Sequence, residues 1–282
     1  MHYRTLIGAE VLARHISDPG WVIIDCRFSL ADTNVGELAY GVGHIPGAYY
    51  AHLERDLSGA VTESSGRHPL PEADALCQRL GGWGISSATQ VVVYDQGNSA
   101  MAARLWWLLR WLGHESVAVL DGGWRQWQAG GWASQQVPHA AVAARYPGKA
   151  QRAMCLSSAE VEAGLAEDEI LLLDARAPER FCGDAEPIDP VAGHVPGAIN
   201  RCFQLNVDKR GLFKSPGQLA KEFETLLVRH SPQQVVHMCG SGVTACHNLL
   251  AMEYAGLSGS RLYVGSWSEW VRDLKRPVGK SV

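Results

Sequence analysis

Cys239 is the residue whose surroundings best suit covalent chemistry. It follows the apolar run Val235-Val236-His237-Met238 and precedes the small, glycine-rich run Gly240-Ser241-Gly242-Val243-Thr244. Glycines allow several backbone N–H groups to turn toward one point, and a helix beginning there adds unpaired amides and the positive end of its dipole. Such a cradle favours an anion at Sγ and raises the fraction of thiolate, which is the form that attacks sulfur. The sequence therefore predicts a nucleophilic cysteine whose loop donors can also hold a persulfide.

Three other interpretations of this cysteine are weaker. A tyrosine phosphatase needs an arginine in its loop to bind phosphate oxygens, and Ala245 stands at that position here. A zinc site built from Cys239, Cys246 and His247 lacks a recognisable four-ligand spacing. A buried cysteine that only packs at the end of a strand does not account for the glycines that follow it. The persulfide chemistry itself requires no metal and no organic cofactor.

The chain contains two copies of one pattern. Val22–Arg27 and Leu171–Arg176 are apolar strands that both end in Asp-x-Arg. A Gly-His-x-Pro-Gly-Ala turn follows at His44 and again at His194. The first copy carries Asp95 where the second carries Cys239. Because a carboxylate cannot carry sulfur, we expect the first copy to be catalytically inactive.

Each copy alternates buried strands with helices, which predicts an α/β fold with a mostly parallel sheet flanked by helices in each of two domains. We predict helices over Ala100–Leu112 and Val243–Tyr254. The expected division is an N-terminal domain over 1–138, a polar, proline-containing linker over 139–152 and a C-terminal catalytic domain over 153–282.

Composition restricts the possible partners. Hydrophobic residues make up 46% of the chain and charged residues 19%, and the formal net charge is -4 without a basic run, so we expect neither nucleic-acid binding nor membrane insertion. The start of the chain lacks the apolar core and cleavage site of a secretory signal, which favours the cytoplasm. Seven cysteines without C-x-x-C spacing indicate reduced thiols rather than a disulfide framework.

These features together resemble the tandem rhodanese-domain sulfurtransferases over nearly the whole chain. The run from Cys239 to Thr244 looks like the active loop of the 3-mercaptopyruvate sulfurtransferases, whereas thiosulfate sulfurtransferases typically have Arg and Lys immediately after the cysteine. The resemblance implies two rhodanese-like domains, and it implies a persulfide on Cys239 that passes to cyanide or to a thiol acceptor such as thioredoxin. Neutral loop residues suit a mono-anionic carboxylate donor better than dianionic thiosulfate.

The resemblance also assigns roles to individual residues. Arg180 matches the arginine that binds the substrate carboxylate, a task that suits the guanidinium fork. Ser241 and His44 match the polar partners that assist proton movement around the cysteine. One position departs from the family pattern, because Ile188 follows Glu186-Pro187 where a second substrate-binding arginine is usual. Arg176 is the residue we expect to substitute for that arginine.

Two alternatives stay open at this point. Thiosulfate:cyanide sulfurtransferase activity differs only in the donor, and the departure at Ile188 keeps it in consideration. A non-catalytic module that binds a partner or senses redox state through Cys239 is an alternative of another class. We expect such an inert copy to resemble the Asp95 loop instead.

Overall fold

The computed structural model describes residues 2–140 and 142–280, and the chain forms two compact units. The first contains the described residues of Met1–Gly59, Pro71–Gln151 and Asp208–Phe213, and the second those of Ala60–Leu70, Arg152–Val207 and Lys214–Val282. Each unit thus includes one short segment from the other half of the sequence. The predicted boundaries at 138 and 152 stay a prediction, and residues 1, 141, 281 and 282 within the predicted ranges lie outside the described residues.

Each unit contains one parallel sheet of five strands. The strands of the first sheet are β1 (Leu6–Ile7), β2 (Trp21–Asp25), β3 (Tyr49–Tyr50), β4 (Gln90–Tyr94) and β5 (Val117–Leu120). The strands of the second are β6 (Cys155–Leu156), β7 (Leu171–Asp174), β8 (Ile199–Asn200), β9 (Val235–Met238) and β10 (Arg261–Tyr263). The orders are β1-β5-β4-β2-β3 and β6-β10-β9-β7-β8, so the two sheets have the same topology.

Helices connect these strands. The first unit contains α1 (Ala9–Arg14), α2 (Val35–Val42), α3 (Leu53–Asp56), α4 (Ala73–Gly82), α5 (Ala102–Trp111) and α6 (Gly123–Ala129). The second contains α7 (Ser158–Ala166), α8 (Pro178–Cys182), α9 (Pro216–Leu227), α10 (Ala245–Tyr254) and α11 (Ser266–Trp270), with short 3-10 turns at Arg152–Met154, Phe203–Asn206 and Pro232–Gln234. The helices predicted over Ala100–Leu112 and Val243–Tyr254 correspond to α5 and α10, each beginning two residues later than expected.

The central strands are apolar because both faces of each parallel sheet are covered. Strands β4 and β9 are buried along their whole length. Strand β4 pairs in parallel with β2, and β9 pairs in parallel with β7. Where β4 and β9 end, the chain turns toward α5 and α10, so the predicted loop lies at the carboxyl edge of the second sheet. No helix among the described residues is long and apolar enough to span a bilayer.

Candidate active site

Cys239 follows β9 directly, and α11 fixes the backbone around it. The N–H groups of Trp267 and Ser268 donate to the carbonyl oxygens of Cys239 and Gly240 at 3.0 and 2.9 Å. In the first unit, Trp124 and Arg125 donate in the same way to Asp95 and Gln96. The two loops therefore share the backbone bonds that hold the residue after the strand, although one carries a thiol and the other a carboxylate.

Ser266 makes a further contact to the cysteine. Its backbone has a φ of 53°, a left-handed conformation that costs a non-glycine residue about 1–3 kcal/mol. Gly123 occupies this position in the first unit with a φ of 55°. The serine places its Oγ where it accepts the N–H of Cys239 at 3.1 Å and donates to the Tyr263 carbonyl at 2.9 Å. The second unit thus keeps a strained residue whose hydroxyl orients the cysteine backbone.

The first unit illustrates what the loop amides can do. The Asp95 carboxylate accepts N–H groups from four residues at 2.9–3.3 Å, namely Gly97, Ser99, Met101 and Ala102. Its side chain therefore sits where loop and helix amides converge, as an anion in such a cradle should. Cys239 follows the equivalent strand and precedes the equivalent helix.

Two guanidinium groups lie beside Gly240. A Cβ built on this glycine would lie 2.9 Å from Nη2 of Arg67 and 3.5 Å from both Nη atoms of Arg180. Arg67 belongs to the segment 60–70, and Arg180 lies in α8. Cys239 itself is only 2% exposed, yet these cationic neighbours make its surroundings polar rather than apolar.

Carboxylates hold both arginines. Asp189 pairs through Oδ1 with Nη1 of Arg67 and through Oδ2 with Nη2 of Arg180. Glu186 accepts the Nε and Nη2 hydrogens of Arg180 at 2.7–3.1 Å. Burial lowers the pKa of the Arg67 guanidinium, while the nearby charge of Cys239 raises it. The site is therefore a network of alternating charges that ends at Gly240.

Ser241 pairs with His68, a residue that no motif in the sequence indicates as part of the site. Nδ1 of His68 lies 2.7 Å from Ser241 Oγ, and both residues are buried. Like Arg67, His68 lies in the segment 60–70 and belongs to the second unit. A serine and a histidine at this distance can exchange a proton. They are therefore a candidate proton relay, with Ser241 two residues after Cys239 in the loop.

The remaining loop residues shape the turn. Gly242 has a φ of 76°, and an added Cβ would lie 2.5 Å from the Val264 carbonyl oxygen. Only glycine fits there without movement of the backbone. Thr244 is the residue before α10 but makes no side-chain capping bond, and Val243 is buried.

Arg176 lies deep in the second unit, with its side chain 1% exposed. It binds Asp174 through Nε and Nη2, donates to the Gly193 carbonyl at 2.8 Å and lies over the Trp267 ring. Arg27 makes these contacts in the first copy, to Asp25, the Gly43 carbonyl and the Trp124 ring. Arg176 also lies 3.4 Å from Glu186 through Nη1. These contacts favour a structural role, and substrate binding by Arg176 stays a prediction that they do not support.

His44 lies in the first unit and is fully buried. Its ring stacks on Tyr40 with the centroids 3.8 Å apart, its Nδ1 lies 2.8 Å from the Tyr40 carbonyl, and its backbone pairs with Gln135. His194 repeats this arrangement with Phe181 and Gly279. Both histidines therefore stabilise the Gly-His-x-Pro-Gly-Ala turns through ring and backbone hydrogen bonds. Proton transfer by His44 stays a prediction that rests on resemblance alone.

The zinc alternative gains no support from the neighbouring residues. The Cys246 thiol lies 3.3 Å from the Gly242 carbonyl, and Nδ1 of His247 lies 3.1 Å from Nδ2 of Asn206. Within residues 2–140 and 142–280, no three His, Cys, Asp or Glu side chains are grouped so that they could hold a metal ion. All seven cysteines are free thiols.

The family model for the rhodanese-like domain matches this chain twice, over residues 8–130 and 157–273. The chain belongs to the rhodanese family. This result confirms the resemblance stated from the sequence, the α/β fold class and the tandem repeat.

The relatives of this rhodanese protein include sulfurtransferases named for 3-mercaptopyruvate and others named for thiosulfate. A probable 3-mercaptopyruvate sulfurtransferase of Pseudomonas aeruginosa is 46% identical over 97% of each chain. A putative thiosulfate sulfurtransferase of Mycobacterium tuberculosis is 39% identical, covering 98% of this chain and 97% of its own. The structure of 3-mercaptopyruvate sulfurtransferase from Leishmania major superimposes with a TM-score of 0.85 at 29% identity, covering 97% of this chain and 75% of that one.

Proposed function

We propose that this rhodanese protein is a sulfurtransferase that takes sulfur from 3-mercaptopyruvate, holds it as a persulfide on Cys239 and passes it to a thiol or to cyanide. The sulfurtransferase names of its relatives confirm the enzyme class predicted from the sequence. The observation that carries the proposal is the convergence of two guanidinium groups on Gly240, the residue after the cysteine. This arrangement suits a donor with a carboxylate at one end and sulfur at the other.

The first half-reaction removes sulfur from carbon. The Cys239 thiolate attacks the donor sulfur, an S–S bond forms and the C–S bond breaks, so that the bond electrons pass into the enolate of pyruvate. The proton of the donor thiol ends on the methyl carbon. The products are pyruvate and an anionic persulfide, whose charge the loop amides can stabilise as those around Asp95 stabilise a carboxylate.

Ser241 and His68 are the groups we assign to this proton movement. Their 2.7 Å separation permits a proton to pass between hydroxyl and imidazole. The relay would take up the proton of the donor thiol and return it to the enolate carbon, which keeps the overall charge constant. His68 thus takes the place that the resemblance gave to His44.

The second half-reaction restores the thiolate. An acceptor thiol attacks the outer sulfur and leaves as a new persulfide, or cyanide attacks it and leaves as thiocyanate. The two halves make ping-pong kinetics the expected pattern. We also propose thioredoxin as an acceptor, as the resemblance implies, and the cytoplasm as the location, because the cysteines are free thiols.

Thiosulfate is the second candidate donor, and the Mycobacterium tuberculosis relative carries that name. Sulfite would then leave in place of pyruvate. Two observations favour the keto acid, because the residues after Cys239 are neutral and because Glu186 and Asp189 offset much of the cationic charge of Arg180 and Arg67. In surroundings of small net charge, the second negative charge of thiosulfate adds little binding energy. The two oxygens of a carboxylate still match the geometry of the guanidinium groups.

The test is a comparison of specificity constants for the two donors with cyanide as the common acceptor. Pyruvate and thiocyanate are measured in the same reactions, with Cys239→Ser as the inactive control. We expect a higher kcat/KM with 3-mercaptopyruvate. A higher value with thiosulfate would support the alternative donor, and capture of a protein partner without turnover of either donor would indicate the non-catalytic module.

A further inference from the structure

Arg180 alone offers an incomplete fork to a donor carboxylate. Its Nε and Nη2 hydrogens are directed at Glu186, and Nη2 also reaches Asp189 at 3.1 Å. Among the described residues, Nη1 has no hydrogen-bond partner, and it lies 3.5 Å from the Cβ position of Gly240. One edge of the guanidinium is thus held by the protein, and a carboxylate with two oxygens needs another donor group to be bound at both.

Arg67 is placed to supply that second group. Its Nη1 is held by Asp189, while its Nη2 lies 2.9 Å from the Cβ position of Gly240. Its side chain remains 25% exposed, so the guanidinium is neither sealed in the core nor free to move away. Its backbone is fixed as well, because the Arg67 N–H donates to Ser268 Oγ at 3.0 Å.

Gly66 adds to this anchoring. A Cβ at Gly66 would lie 2.6 Å from the Gly265 carbonyl oxygen and 2.9 Å from Ser268 Oγ. The glycine therefore allows the segment 60–70 to lie directly against the residues that begin α11. Because α11 also fixes the Cys239 backbone, Arg67 and the nucleophile are both held in position by the same helix.

Asp189 sets the distance between the two arginines. One carboxylate oxygen pairs with Arg67 and the other with Arg180, and the side chain is 3% exposed. A buried carboxylate between two cations offsets their repulsion and leaves one Nη of each directed toward Gly240. Ile188, at the position where the family pattern has an arginine, is 43% exposed.

We propose that Arg67 is the second substrate-binding arginine of this protein, and that Asp189 is the positioning residue that aligns Arg67 with Arg180. The ligand is the carboxylate of a small α-keto acid, bound between Nη2 of Arg67 and Nη1 of Arg180. This inference rests on the proposed function for the identity of the donor. What it adds is the position of the second substrate-binding arginine, which lies in the segment 60–70 and not directly after Glu186-Pro187, where this chain has Ile188.

The experiment measures alkylation of Cys239 as well as turnover, so that failure of this inference and failure of the proposed function can be separated. Iodoacetate carries a carboxylate and iodoacetamide does not, while both alkylate the same sulfur. The rate ratio of the two reagents at Cys239, followed by peptide mass spectrometry, therefore reports carboxylate binding without any sulfur transfer. We expect Arg67→Gln to lower this ratio about 10- to 100-fold, the usual effect of losing a charge-assisted hydrogen bond.

Turnover should change in the same direction. With 3-mercaptopyruvate, kcat/KM of Arg67→Gln should fall by a similar factor, mainly through KM, because the lost contact is made to the ground state as well. Arg229→Gln is the matched control, since it removes an exposed arginine of the same unit that pairs with Asp168. If the alkylation ratio falls in Arg67→Gln and not in Arg229→Gln, but wild type turns over no keto acid, the donor assignment fails and the Arg67 assignment stands.

A double variant removes the remaining ambiguity. Arg67→Gln leaves Asp189 with one cation less, and its charge alone can repel an anionic reagent. In Arg67→Gln/Asp189→Asn this charge is gone. Asp189→Asn alone is the reference for this variant, because Asp189 also pairs with Arg180. A ratio lower in the double variant than in Asp189→Asn supports carboxylate binding by Arg67, whereas equal ratios in these two variants, or no change in Arg67→Gln, overturn the inference.

Discussion

His237 gives the pH dependence of stability a sign and a size. It lies in β9 with its ring fully buried, and neither ring nitrogen has a hydrogen-bond partner among residues 2–140 and 142–280. Burial lowers its pKa from 6.5 to about 3. Below pH 6.5 the imidazole is therefore protonated in the unfolded chain, whereas in the folded chain it stays neutral down to about pH 3. The stability present above pH 6.5 is consequently lost as the pH falls.

The magnitude follows from the two pKa values. Below pH 6.5 the loss approaches about 1.4 kcal/mol per pH unit, which amounts to about 2 kcal/mol at pH 5. His237→Leu removes this titration and fills a similar volume with apolar atoms. We expect the stability advantage of the variant over wild type to grow by about 2 kcal/mol between pH 7.5 and pH 5.

Urea unfolding of both proteins across this pH range measures the difference. His237→Val is the matched control, because Val93 occupies the corresponding position of β4. Valine leaves a cavity and lowers stability at every pH, yet its pH dependence should equal that of the leucine variant. Parallel curves for wild type and both variants would refute the claim that the imidazole is held neutral by burial.

Three further predictions concern the loops. Ser266→Ala removes the acceptor of the Cys239 N–H while keeping the left-handed backbone, and we expect it to lower stability by about 1–3 kcal/mol and to reduce kcat, measured by thermal unfolding and pyruvate release. Asp95→Asn replaces a carboxylate that accepts four N–H groups, so urea unfolding should show a loss of about 2 kcal/mol or more; an unchanged midpoint would contradict this. Ser241→Ala should slow pyruvate formation about 100-fold in a stopped assay, whereas an unaltered rate would exclude the relay with His68.

Local and repeated features were predictable from the sequence. The strands before Asp25 and Asp174 are short apolar runs bounded by turns, and the loop after β9 has a composition that only a tight, glycine-dependent turn explains. The helix after Cys239 was predicted from Val243 and begins at Ala245. The difference arises because the turn at Gly242 extends further than helical periodicity reveals.

Arg67 and His68 could not be predicted because their positions depend on contacts distant in sequence. They lie in the first half of the chain, yet the segment 60–70 packs with the second unit. The sequence offers only a weak signal, a glycine followed by two basic residues and a proline without apolar periodicity. Asp189 was missed for a related reason, since its importance appears only when both arginines are in place.

The two copies also separate structural from chemical residues. Arg27 and Arg176 make equivalent contacts, and so do His44 and His194. A residue that makes the same contacts in both copies, one of which lacks the cysteine, is explained by the fold. Cys239 differs from its counterpart Asp95, and it is at such unequal positions that chemistry should be sought.

The mass of the peptide containing Cys239 tests the central claim most directly. Wild type is incubated with 3-mercaptopyruvate without an acceptor, digested under conditions that preserve persulfides, and compared with Cys239→Ser. We predict a gain equal to one sulfur atom on Cys239, lost again when cyanide is added, and no gain in the variant. Release of pyruvate with the added sulfur on another cysteine, or on none, would contradict a persulfide carried by Cys239.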